Sequence, residues 1–147
     1  MYKTIHVTAA FLLFAASHIA SAQTEYQGTP VSTTVFVSFA NGSTAFRPTA
    51  ASVETLLNAR DAAMVTIRGR TSTNTPTAQD EALALARATA ARAYLIRQGV
   101  SPLKIMVNYA SASDFIADNA TAAGRLENQR VEIDLVHVPS NLKESQQ

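Results

Sequence analysis

The stretch from Thr77 to Gly99 constrains this chain more than any other. Thr77-Ala78-Gln79-Asp80 has the spacing of a capping box, with Asp in place of the usual Glu or Gln. Gly99 stands where a helix end needs a left-handed residue. Between them Leu83, Ala86, Ala90 and Tyr94 fall on one stripe, with Ala91 and Leu95 beside it. The spacing predicts a helix running to Gln98. So many of its residues are alanine that its backbone must lie close to its support, and a sheet provides such a surface.

Strand-like segments flank that helix. Val31 to Phe39 is dense in Val, Thr and Phe, and Asn41-Gly42-Ser43 breaks it. Pro48 suits the first turn of a helix reaching about Ala62, with Val53, Leu56 and Leu57 on a shared apolar face. Met64 to Gly69 and Lys104 to Tyr109 read as strands, and a long Ala/Ser/Asp/Asn loop runs from Ala110 to about Ala123. From Arg130 to Val138, Val131, Ile133 and Leu135 alternate with Glu132, Asp134 and Val136. The expected fold is α+β, a two-layer sandwich with two helices packed on a four-stranded mixed sheet.

The first 22 residues read as a secretory signal peptide. Lys3 supplies a positive start, Val7 to Ile19 is mostly apolar, and Ala20-Ser21-Ala22 is a small-x-small cleavage site. Residues 23–32 and 139–147 are polar, unpatterned tails around a domain spanning 33–138. No integral membrane segment is expected after cleavage. The mature chain then carries 11 basic and 11 acidic side chains, and His137 is its only histidine.

The chain has no cysteine, which excludes disulfide scaffolds, thiolate metal sites and cysteine nucleophiles. No basic run marks a nucleic-acid footprint. Asp114 with Asp118, and Glu132 with Asp134 on an outward-facing strand edge, are the acid pairs that acid–base chemistry would need. Neither comes with a nucleophile or a histidine, so both read as solvated surface acids, and no enzyme, cofactor or metal is expected. Arg87 sits about two turns into the long helix, behind a polar loop, where a guanidinium and free helix N–H groups could hold a small anion. Local sequence favours a structural partner for it, Glu81 or a strand-end carbonyl. Arg130 likewise reads by itself as structural or surface.

Several linked motifs resemble the OmpA-like peptidoglycan-binding domain family between about Val35 and Leu135. They are Val35-Phe36-Val37-Ser38-Phe39 with Pro48 downstream, Ile67-Arg68-Gly69-Arg70-Thr71-Ser72, Asp80-Glu81-Ala82-Leu83-Ala84-Leu85-Ala86-Arg87-Ala88, the Tyr94 to Val100 helix end, and Asn128-Gln129-Arg130-Val131-Glu132-Ile133. The resemblance implies a non-covalent clamp on diaminopimelate in the peptidoglycan stem peptide. In the family a loop Asp and a helix Arg fifteen residues later hold its amine and carboxylate. At that spacing stand Ser72 and Arg87, so the arginine matches and the aspartate does not. The implied site is Thr71, Ser72, Asp80, Arg87, Asn128 and Arg130. The family usually carries Asn where Asp80 stands, Ser where Ala84 stands and Arg where Gln129 stands.

The loop ending Ala117-Asp118-Asn119-Ala120-Thr121-Ala122-Ala123-Gly124-Arg125 looks most like small stand-alone OmpA-like proteins of type IV secretion or conjugation systems. Such relatives attach through an N-terminal cysteine that is missing here, so a soluble periplasmic location, or one held by secretion or conjugation proteins, is expected. Two functions stay open. One is a periplasmic peptidoglycan anchor in which Arg87→Ala removes wall binding without unfolding. The other is an assembly protein that keeps the fold for protein partners after losing the Asp.

Overall fold

The structure, a computed structural model, describes residues 29–139. The signal peptide and most of both tails lie outside the described residues. Strand β1 (Val31–Ser38) is followed by helix α1 (Ala50–Leu57), strand β2 (Met64–Arg70), helix α2 (Ala78–Arg97), strand β3 (Ile105–Ala110), helix α3 (Ala122–Asn128) and strand β4 (Arg130–His137). Val31 and Ser32, where the expected tail and the expected strand overlap, belong to the strand and pair with His137 and Val136.

The sheet order is β1-β4-β2-β3. β4 runs antiparallel to both β1 and β2, and β3 is parallel to β2, which makes the sheet mixed. Alternation sends Val35 and Val37, Val65 and Ile67, and Val131, Ile133 and Leu135 to one face. There they meet Leu56 from α1 and Ala88, Ala91 and Leu95 from α2 in one core. The expected two-layer α+β sandwich is present, with α3 as a short third helix. No helix among the described residues is long and apolar enough to cross a membrane.

Helix α2 follows its sequence signals closely. Thr77 caps Asp80 N–H, and the Asp80 carboxylate accepts from Thr77 N–H in return. Gly99 follows the last turn at φ 92°. The alanines allow close contact: a Cβ at Gly69 would overlap the Ala84 carbonyl oxygen. Helix α1 is shorter than expected. Thr49 caps it, which leaves Pro48 outside the first turn, and it tightens into a 3-10 turn at Asn58–Arg60. Leu57 points outward while Leu56 is buried, so the predicted shared face is narrower.

The acids of β4 correct another expectation. β4 lies inside the sheet, so Glu132 and Asp134 are on no strand edge. Neither is a free surface acid. Glu132 accepts from Arg130 Nε at 2.8 Å, and Asp134 accepts from Thr34 at 2.7 Å and pairs with Arg68.

Candidate functional site

A cavity of about 360 Å3 opens where three segments meet. Asn41 comes from the loop after β1, Ser72 from the end of β2, and Ala122, Arg125, Leu126 and Gln129 from α3 and its C-cap. Asn41 sits in a turn closed by a bond from Ser43 N–H to the Ala40 carbonyl at 3.0 Å, with Gly42 at φ 66°. Thr121 caps α3 through Gly124 N–H at 2.9 Å.

Arg87 lies directly behind this cavity and is completely buried. Its Nε donates to the Ser43 carbonyl at 3.0 Å and its Nη1 to the Arg70 carbonyl at 3.0 Å. Its Nη2 reaches the Ala40 carbonyl and Gln129 Oε1, both at 3.3 Å. The Phe39 ring lies 5.1 Å from the guanidinium carbon. Every acceptor is neutral, and no carboxylate pairs with Arg87 among the described residues. Burial lowers its pKa to about 10, which leaves it a cation at neutral pH. The strand-end carbonyl expected as its structural partner is that of Arg70, whereas Glu81 accepts from Ser111 Oγ at 2.6 Å.

The other residues implied by the resemblance divide into lining and support. Ser72 lines the cavity. Thr71 is buried beside it, and its Oγ1 has no hydrogen-bond partner among the described residues. Asp80 is committed to the cap of α2 and does not line the cavity.

Asn128 and Arg130 lie beneath the site and do not line it. The Asn128 oxygen accepts from Ile116 N–H at 2.8 Å and Ala117 N–H at 3.1 Å. Its amide nitrogen donates to the Ala117 carbonyl at 2.9 Å and to Asn119 Oδ1 at 3.1 Å. Asn119 in turn donates to the Ser72 carbonyl at 2.7 Å. Arg130 is buried and bonds Glu132 and the Asp114 carbonyl. Asp114 also takes Arg70 Nη2 at 2.7 Å, which pins a loop whose Ala112 and Asp114 both sit at φ 53°. Asp118 behaves as a plain loop acid, accepting from Ala120 N–H at 2.9 Å.

Sequence reasoning gave no site role to Asn41, Ala122, Arg125 or Leu126. They come from one loop and a seven-residue helix, and no period singles them out. Their signal was position within the motifs, since Arg125 closes the Ala117–Arg125 loop and Gln129 stands between two matching residues.

The sequence profile of the OmpA family matches residues 38–129, which includes every residue that lines the cavity. The chain belongs to the OmpA family. Among curated proteins, the "Type IV secretion system putative outer membrane lipoprotein" of Brucella suis biovar 1 is 35% identical to this chain over 115 residues. The match covers 77% of this chain and 67% of the relative. The OmpA-like domain of FopA1 from Francisella tularensis superposes with a TM-score of 0.58 at 20% identity, covering 74% of this chain and 75% of that one. The peptidoglycan-associated lipoprotein of Burkholderia pseudomallei gives 0.59 at 18% identity, covering 69% and 89%. At these identities the two structures bear out the OmpA-like fold. The family and the lipoprotein relative agree with the exported, envelope location expected from the leader.

Proposed function

We propose that this OmpA-family chain is a non-enzymatic envelope module that binds peptidoglycan through the diaminopimelate-bearing stem peptide, at a type IV secretion or conjugation apparatus. The observation that carries this reading is the buried Arg87 cation, bonded only to neutral oxygens and set behind a cavity whose rim bears a second cation, Arg125. Positive charge without a counter-ion favours a carboxylate ligand. The family, the type IV secretion relative and the peptidoglycan-associated lipoprotein of like fold support the choice of peptidoglycan and of apparatus.

A second reading, a scaffold for protein partners, draws on one feature. Four bonds to the protein occupy Arg87, and the Gln129 side chain separates it from the cavity. Co-sedimentation of the full chain with isolated sacculi decides between the two. The peptidoglycan reading expects the protein in the pellet and about a tenfold loss of binding in Arg125→Glu, because a rim cation has become an anion. If the natural chain stays in solution while Ser72→Asp sediments, the scaffold reading stands and the peptidoglycan reading is wrong.

A further inference from the structure

The cavity carries charge of one sign only. Of the residues that line it, Arg125 is basic, Asn41, Ser72 and Gln129 are neutral polar groups, and none is acidic. The nearby carboxylates are engaged elsewhere. Asp80 serves the cap of α2, Glu81 serves Ser111, Asp114 pairs with Arg70, Asp118 closes its own turn, and Glu132 holds Arg130. Glu127 is exposed on α3 and does not line the cavity.

From this we infer that the cavity takes a carboxylate whose neighbouring nitrogen is acylated, and discriminates against a zwitterionic amino-acid end. The inference rests on the peptidoglycan reading and names the chemistry of the ligand's end. Arg125 Nη1 holds the Asn119 and Ala120 carbonyls, and among the described residues Nε and Nη2 have no acceptor, which leaves them to a carboxylate. Arg87 lies one hydrogen bond further in, behind Gln129 Oε1, and adds positive potential from a dry position. An ammonium beside that carboxylate would stand next to two cations and meet only neutral oxygens of the lining. An amide N–H presents one donor and no charge. Ser72 Oγ and Asn41 Oδ1 are uncharged acceptors suited to it.

Two wall groups share this chemistry. One is the diaminopimelate centre whose amine has been acylated in a cross-link, and the other is the terminal carboxylate of an open stem, whose nitrogen is already in a peptide bond. The test is calorimetric titration of the full chain with meso-diaminopimelate, with its N,N′-diacetyl derivative and with N-acetyl-D-alanine. Sacculus co-sedimentation is run on the same preparation. An acylated probe is expected to bind at least about tenfold tighter than the zwitterion, because the ammonium stands beside two cations with no carboxylate in the lining to face it. Whichever acylated probe is tighter identifies the source. Ser72→Asp restores a carboxylate at the lining and is expected to reverse the ranking.

Equal or tighter binding of free diaminopimelate by the natural chain overturns the inference while leaving the peptidoglycan reading intact, provided sacculi still sediment the protein. An unchanged ranking in Ser72→Asp overturns it too, as does sacculus binding with no response to either acylated probe. Loss of both sacculus binding and probe binding removes the peptidoglycan reading, and the inference with it.

Discussion

The two sides of this small sheet treat arginine in opposite ways. On the open face, away from the helices, Arg68 pairs with Asp134, Arg130 with Glu132, and Arg70 with Asp114. At the cavity end, Arg87 and Arg125 bond, among the described residues, only to carbonyl and amide oxygens. The first group neutralises itself and ties strands and loop together. The second keeps a charge that no carboxylate among the described residues neutralises. Burial does not separate them, since Arg87 and Arg130 are both nearly inaccessible. The partner does.

The largest effect should come from Arg87→Ala. It removes four bonds to loop carbonyls and Gln129, and should cost about 3–5 kcal/mol in urea denaturation. Wall binding would then fall together with the fold, against the expectation that this variant stays folded. An unchanged denaturation midpoint would show that the loops close without the guanidinium. Glu132→Gln should cost about 1–3 kcal/mol, because Arg130 keeps an acceptor but loses its counter-charge in a buried setting. Sacculus binding by that variant should stay as in the natural chain; a loss would mean that the open face takes part in recognition. Asp134→Asn should shift stability by less than about 1 kcal/mol, since Arg68 is partly solvated and the pair is screened. A cost equal to that of Glu132→Gln would erase the distinction between a solvated and a buried pair.

The sequence showed most of the framework. The capping box at Thr77 and Asp80, the glycine at 99 and the alternation along β4 are local signals, and local physics decided them. Helix α1 was overextended because Val53, Leu56 and Leu57 carry a helical period, while the 3-10 turn after it is set by packing of Ala59 that no period reports. The site was legible only in part. Arg87 could be singled out, but three of its partners are carbonyls of Ala40, Ser43 and Arg70, and carbonyls have no sequence signature. Asn128 and Arg130 are marked by motif position, but their bonds to Ala117, Asn119 and Asp114 reach back into the loop before α3, which motif position does not report.

The order β1-β4-β2-β3 has a kinetic consequence. The last strand of the domain is the one that joins the first to the rest, since β1 bonds only to β4 within the sheet. As the chain leaves a ribosome, β1 has no partner until Arg130 to His137 has been made, and its closure spans nearly the whole domain. Such long-range pairing folds slowly. The sheet therefore cannot be completed until the last strand of the domain has been made, a property suited to a polypeptide that crosses a membrane before it folds.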